Sequence, residues 1–363
     1  MFRATPKQLP AKLFVASLSL VLTAALLEVG LRGLDWRGYH QDRQVIGAGA
    51  RRAKEDRIPF VWPLYLPHAE LAFRYDGNPR GYFDDDSTLR VRLNNHGFRG
   101  TDHPKAKRPD LYRVMVVGDS FTFGEGVRWE HTFVYRLGEE LRKRVGPGIE
   151  VLDFGVGSWG TRSQYHYLVH EGMEFDPDLI LLVFTPNDAE YAGGLDVWEN
   201  FRQLYTPPPA LRASHLLSLV YANWVRIVEG RRYIEELVKS AMEEQEKWNR
   251  TLDFLTEIGR LAESSNSKFA IAIFPFMIEL DEDYPLGEIH GLVSERAQRD
   301  GTPYLDLLPR FLGRRYTDLW VHPTDQHPNE TAHAIASDAL ADFLVERGLV
   351  RSPTNAGIAQ PAP

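Results

Sequence analysis

The sequence predicts an α/β protein: a three-layer α/β/α sandwich around a central parallel sheet of about five strands, preceded by an N-terminal transmembrane helix. Three observations predict it. Short apolar runs ending at glycine or a polar turn recur along the chain from Leu111 onward, segments of helical spacing separate them, and one long apolar stretch lies near the start. Bulk properties agree. The chain has 363 residues, 43% of them hydrophobic, enough to fill an ordinary core. Its formal charge of −8 argues against a nucleic-acid partner. It contains no cysteine, which excludes disulfides, thiolate metal sites and cysteine catalysis.

Residues 1–12 form a basic tail carrying Arg3, Lys7 and Lys12. The apolar run from Leu13 to Leu27 is interrupted by Glu28 and resumes through Leu31, close to the ~20 residues that span a bilayer. Two readings compete, with a buried soluble helix as a third. Thr23-Ala24-Ala25 offers small residues for signal-peptide cleavage. An uncleaved signal anchor over residues 13–34 is preferred, because helix-compatible sequence continues through Glu28 and Arg32 without a turn signal. The basic tail would then stay in the cytosol and the rest of the chain outside it, although Arg32, Arg37 and Arg43 after the span oppose that orientation.

Residues 35–110 read as a lead-in packed on the catalytic domain, rich in Pro, Gly, aromatic and charged residues. Within it Thr88–Leu93 alternates like a strand with a basic polar face, and Asn94-Asn95-His96-Gly97 reads as a turn. The catalytic domain is expected over 111–350. Its strands are Val114–Val117, Glu150–Phe154, Leu179–Phe184, Phe269–Phe274 and a short Thr302–Leu305. Helices are expected over Trp129–Val145, Gln164–Glu174 and Glu330–Val345. A helical insertion, about 191–267, separates the third and fourth strands, with an amphipathic helix over His215–Val228 and a longer charged one over Arg232–Leu261. It reads as a cap, a partner-binding arm or a solvated helical pair. Residues 351–363 are expected to be a disordered tail.

In an open parallel sheet, ligands bind beyond the carboxyl ends of the strands. Gly118-Asp119-Ser120 follows the first strand, Gly155-Val156-Gly157-Ser158-Trp159-Gly160 the second, and Thr185-Pro186-Asn187-Asp188 the third. His322, Asp325 and His327 precede the last helix. Serine, histidine and aspartate are the parts of a nucleophile relay, and asparagine with backbone N–H groups can form an oxyanion hole. Each motif alone is equally a turn, a helix cap or a surface histidine; their joint placement at strand ends is the specific signal. A metal site at His322, Asp325 and His327 explains fewer residues.

From about Arg113 to Val345 the chain resembles the SGNH, or GDSL-like, hydrolase superfamily, with the insertion poorly covered. The resemblance implies the flavodoxin-like SGNH fold and an ester hydrolase needing no cofactor. Gly118-Asp119-Ser120 matches the first motif, which implies that Ser120 is the nucleophile and that its N–H serves the oxyanion hole. Thr185-Pro186-Asn187-Asp188 matches the Gly-x-Asn-Asp motif with threonine in the glycine place, and implies Asn187 as a side-chain donor. For the glycine motif, spacing from Asp153 selects Ser158 whereas residue type selects Gly157. Asp153 itself stands where asparagine is common. The final Asp-x-x-His motif is one residue shorter here, Asp325-Gln326-His327, which implies His327 as base and Asp325 as its orienting partner; His322 and His333 are the alternatives. The expected substrate is an acyl ester, with O-acetyl groups on cell-envelope glycans as the family analogy. An O-acyltransferase acting on an exported polysaccharide and a non-catalytic envelope scaffold or glycan binder are the alternatives. Trp159, Tyr165, Trp198, Phe201, Tyr205, Tyr221 and Trp224 are candidate sugar-stacking aromatics, with core packing as the competing role. Activity should fall at low pH as His327 protonates, near the unperturbed imidazole value of about 6.5.

Overall fold

Val114, Met115, Val116 and Val117 are apolar on both sides of the chain, so a strand made of them needs cover on both faces. It has that cover in the computed structural model, where every residue of strand β4 (Tyr112–Gly118) is buried. The structure describes residues 9–34, 44–46, 58, 60–61, 64–189, 208–243 and 245–353. The expected tail beyond residue 353, residues 1–8 and the aromatic residues Trp198, Phe201 and Tyr205 lie outside the described residues. The chain divides into two compact units, Met1–Asp42 with Trp198–Arg232, and Arg43–Val197 with Tyr233–Pro363.

The larger unit carries the sheet. Strand β4 pairs with β5 (Ile149–Gly155) on one side and β6 (Leu179–Phe184) on the other. β7 (Lys268–Ile273) and β8 (Tyr304–Asp306) complete it, in the order β5-β4-β6-β7-β8 with every pair parallel. The five expected strands are thus present, each within two residues of its predicted ends. Right-handed crossovers place a helix on one face when the chain moves one way along the sheet and on the other face when it reverses. Accordingly α3 (Phe133–Arg144) packs on α10 (Glu330–Glu346), while α4 (Thr161–His170) and α9 (Gly287–Arg299) both pack on α8 (Gln245–Ser264). The result is the predicted three-layer α/β/α sandwich. The reversal at β4 makes the carboxyl ends of β4 and β6 the natural crevice.

Local chemistry sets the helix ends. The Thr132 hydroxyl accepts from the Tyr135 N–H at the start of α3. Asn329 Oδ1 accepts from Thr331 and Ala332 at the start of α10. Such caps are each worth about 1 kcal/mol. The charged helix expected over Arg232–Leu261 corresponds to α7 (Gly230–Glu243) and α8, with residue 244 between them outside the described residues. Helix α9 was not anticipated, although a parallel connection from β7 to β8 requires a crossover.

The lead-in contains antiparallel strands β2 (Glu70–Arg74) and β3 (Thr88–Arg92), with β1 (Gln44–Ile46) beside β2. As the alternation predicts, Leu89 and Val91 are buried while Arg90 and Arg92 are exposed. From the same region Arg99 is almost fully buried and donates to the carbonyls of Phe123, Gly124 and Val127. Burial lowers its pKa to about 10, opposed by the charge of Asp153. The guanidinium therefore ties down the turn that follows β4.

In the smaller unit, α1 (Leu9–Gly33) is long and apolar enough to cross a membrane by length and composition, and its apolar stretch is unburied. Two further helices belong to this unit, α5 (Pro209–Arg212) and α6 (His215–Trp224), the latter continued by a π-helical turn over Val225–Glu229.

Asp153, near the end of β5, generates a test of the core. Burial pushes its carboxyl up to about 8, against the Gly155 N–H that it accepts at 2.7 Å and the charge of Arg99. At neutral pH it is mostly protonated and resembles the asparagine common at this position. Between about pH 4 and 8 the folded chain holds a proton that the unfolded chain has released, so stability falls as pH rises through that window. Asp153→Asn should melt like the wild type near pH 4 and at a higher temperature than the wild type at pH 8, as read by thermal unfolding across a pH series.

Candidate active site

Gly118 ends β4 because a side chain cannot fit there: a Cβ would lie 2.1 Å from Thr122 Oγ1 and 2.9 Å from the Val183 carbonyl. The chain then makes one helical turn, α2 (Ser120–Phe123). Asp119 caps it, its Oδ1 accepting from the Phe121 N–H at 2.9 Å, and Gly124 closes it in the left-handed conformation at φ 71°. Ser120 opens the turn, so its N–H has no carbonyl behind it within the helix. Phe123 packs inward against Tyr65 and Phe73. Phe121 lies against Phe274, Phe276 and the ring of His327.

The partner of Ser120 comes from a hairpin of β9 (Trp320–His322) and β10 (Asp325–Pro328). In extended backbone, residues i and i+2 project to the same side. That is how the shortened Asp325-Gln326-His327 spacing still brings carboxylate and imidazole together. His327 Nε2 stands 2.9 Å from Ser120 Oγ, and Nδ1 makes a very short contact with Asp325 Oδ1. Asp325 also accepts the His327 N–H at 3.1 Å and the Tyr75 hydroxyl at 3.0 Å. The carboxylate is 3% exposed, so these donors replace the water it has lost.

The two alternative histidines are placed elsewhere. His322 Nδ1 faces Thr324 Oγ1 at 2.7 Å, and burial lowers its pKa to about 4. His333 Nδ1 accepts the Phe133 N–H at 3.0 Å, and burial lowers its pKa to about 3. Both rings are neutral under ordinary conditions. Among the described residues, no group of three or more His, Asp or Glu side chains is arranged to hold a metal ion.

Beyond β6 lies a network that gives the threonine in the glycine place a role. Thr185 Oγ1 is 2.7 Å from Asp119 Oδ2, 2.8 Å from Asn187 Oδ1 and 3.2 Å from Asp188 Oδ1. A hydroxyl has one proton to give. Asp119 and Asp188 are both fully buried, and burial raises both above the carboxylate range. Asp188 rises further because it also faces the charge of Asp119, while Gln164 Nε2 donates to its Oδ2 at 3.2 Å. A proton retained on Asp188 lets that carboxyl donate to Thr185 Oγ1, whose single proton is shared between Asp119 Oδ2 and Asn187 Oδ1 in a three-centre bond. With its oxygen turned to Thr185, Asn187 keeps its amide hydrogens as the donor side.

Gly157 is buried, and a Cβ on it would lie 3.9 Å from Ser120 Cβ and 2.4 Å from Glu125 Oε1. Ser158 is exposed and adopts φ 72°, a left-handed conformation costing a non-glycine residue about 1 kcal/mol. Gly157 thus lies beside Ser120.

Sequence reasoning missed Glu125, Tyr75 and the bridging function of Thr185. Glu125 is buried, with Oε2 3.8 Å from His327 Nε2, so the imidazole meets a second carboxylate. A charged residue inside the otherwise apolar and glycine-rich Phe123-Gly124-Glu125-Gly126-Val127 was the signal available. Nothing in the sequence linked Tyr75 to Asp325, 250 positions away.

Residues 116–335 match the GDSL-like lipase/acylhydrolase family, and the chain belongs to it. It is a serine ester hydrolase. Solved structures similar to it include an acetyl xylan esterase, AlAXEase, at 16% identity and TM-score 0.39, covering 63% of this chain and 97% of that one. TesA is 14% identical with TM-score 0.43, covering 66% and 99%. A catalytic mutant of Axe2, an acetylxylan esterase from Geobacillus stearothermophilus, is 18% identical with TM-score 0.40, covering 66% and 97%. No curated protein sequence matches the chain significantly.

Thr185→Val keeps the shape but leaves buried Asp119 without its donor and Asn187 without its anchor. It should destabilise the fold by about 1–3 kcal/mol and lower kcat more than it raises KM. Thr185→Ser, which keeps the hydroxyl, should restore most of both. Thermal unfolding and steady-state ester hydrolysis measure the two effects.

Proposed function

We propose that the protein hydrolyses O-acyl esters through an acyl-enzyme on Ser120. The observation that carries this reading is the 2.9 Å contact between Ser120 Oγ and His327 Nε2, with Nδ1 held by Asp325. In the proposed first step His327 Nε2 takes the Ser120 proton as Oγ attacks the ester carbonyl carbon. The developing oxyanion is held by the N–H groups of Ser120 and Gly157 and by the Asn187 amide. Collapse of the tetrahedral intermediate breaks the ester C–O bond, and the imidazolium returns the proton to the leaving alkoxide. A water molecule then gives its proton to His327 and attacks the acyl carbon, releasing the carboxylic acid and restoring Ser120. Asp325, and beside it Glu125, stabilise the imidazolium that exists between these transfers.

For the substrate we infer acyl esters, O-acetyl groups included, on glycans of the cell envelope. The support is the apolar helix α1 with Arg3 and Lys7 before it and Lys12 in its first turn, which together suit an anchor with its tail in the cytosol. On this reading residues 13–34 hold the protein in the bacterial inner membrane as a single span, and the catalytic part works on the extracytoplasmic side.

The test is turnover of an activated acetyl ester by the full chain. Ser120→Ala should abolish it and also abolish labelling by a fluorophosphonate probe, whereas Asn187→Ala should lose roughly 10²–10³ in kcat with labelling retained but slowed. Equal labelling of Ser120→Ala and wild type would remove Ser120 as nucleophile. Wild-type protein that leaves esters intact yet moves acetyl from an activated donor to a glycan would make the reaction a transfer. Glycan binding with neither activity would leave a scaffold.

A further inference from the structure

Glu28 is the anomaly of helix α1. A carboxylate inside an apolar span is expensive in a bilayer, so it needs partners. It has them in its own unit. Its oxygens accept from Ser214 Oγ at 2.8 Å, from the His215 N–H at 3.1 Å and from the Leu216 N–H at 2.9 Å. These are the groups at the start of helix α6. Arg32, one turn further on, pairs with Glu28 at 2.7 Å and donates to the Ala213 carbonyl at 2.6 Å. Along α1 the half-buried residues near this end are Ala24, Glu28 and Leu31, one helical stripe. Helix α6 is therefore clamped to the last turns of α1 by four hydrogen bonds.

The clamped helix has an apolar face that no described residue of its unit covers. Leu217, Val220, Trp224, Ile227 and Val228 are 44–57% exposed, at a spacing that keeps them on one side. His215, Ser218 and Val225 lie on the buried side. A contiguous exposed face of this kind marks an interaction surface, whereas single exposed apolar residues do not.

We infer that the face formed by Leu217, Val220, Trp224, Ile227 and Val228 lies in the lipid bilayer beside helix α1, as an interfacial helix clamped to the anchor through Glu28 and Arg32. The inference rests on the reading of α1 as an anchor. What commits the occupant to lipid is continuity. An apolar helix unburied along its length is surrounded by acyl chains if it spans, and α6 is hydrogen-bonded to that same helix. Glu28 lies five residues before the end of α1 at Gly33, or about 7.5 Å at the helical rise of 1.5 Å per residue, which is within the depth of the interfacial zone. Trp224 and Tyr221 suit the same zone, and Arg212, Arg231 and Arg232 flank the apolar stretch where headgroups lie. The segment would then work as a second membrane contact that restricts rotation of the single span.

The absence of cysteine allows a direct test with single-cysteine variants carrying a nitroxide. The full chain is reconstituted in vesicles of phosphatidylcholine and phosphatidylglycerol, and collision with oxygen is compared with collision with an aqueous nickel chelate. V220C and I227C should favour oxygen, as L20C in the middle of α1 does, and K143C on the exposed surface of α3 should favour nickel. Nickel access at V220C and I227C with L20C in lipid would overturn the inference and leave the anchor intact. Shielding of both positions from both reagents would also overturn it, since a protein surface would then cover the face. Nickel access at L20C would overturn the anchor reading itself. Adding E28A should raise nickel access at V220C and I227C several-fold while L20C stays unchanged; no change would overturn the clamp.

Discussion

The active region depends on one imidazole held at both ends. His327 reaches Ser120 only because the extended backbone of β10 turns it to the same side as Asp325, and because Asp325 is itself held by the Tyr75 hydroxyl. A carboxylate so buried would be costly with fewer donors. Given three, it fixes the ring's orientation and favours the proton on Nδ1. That leaves Nε2 as the acceptor facing Ser120. Phe121 packs against the same ring, so the residue after the serine limits the histidine's freedom on a second side.

Around this pair the structure spends much of its polar chemistry on position. Arg99 anchors three carbonyls of the turn after β4, and Thr185 links Asp119 of that turn to Asn187 beyond β6. The two sides of the crevice are thereby joined by hydrogen bonds rather than by shape alone. The buried acids Asp119, Asp188 and Asp153 are tolerated because each has donors or a retained proton. Such networks specify one arrangement when fully satisfied. Tyr75 and Arg99 both come from the lead-in segment, so the support of the site is drawn partly from outside the alternating strands and helices.

The parallel sheet was legible because its signal is local. Leu179–Phe184 is six apolar residues in a row, and few structures other than a doubly covered strand accommodate that. Ser120, Asn187 and His327 were legible as motifs, since strand ends fix which residues face the crevice. Helix α9 was obscured by Gly287 and Gly291, although Leu286, Ile289, Val293 and Ala297 carry a helical apolar stripe. The hairpin before α10 was hidden by Pro323 and Pro328, which read as breakers. Tyr75, Glu125 and the network through Thr185 depend on side chains meeting across different elements. A single sequence carries no trace of such long-range pairs. Spacing and residue type disagreed on Gly157 and Ser158, and neither showed that Gly157 is buried beside Ser120 while Ser158 is exposed.

The central claim is that Ser120 forms the bond to the acyl group while His327 moves the proton. Acid-quenching the full chain during turnover of an activated acetyl ester, followed by peptide mass mapping, tests it most directly. The account predicts an acetyl group on the peptide containing Ser120, at the serine oxygen, and none in Ser120→Ala; His327→Ala should fail to accumulate it. Undiminished turnover by Ser120→Ala, or an acetyl group mapped to another side chain, would contradict the account.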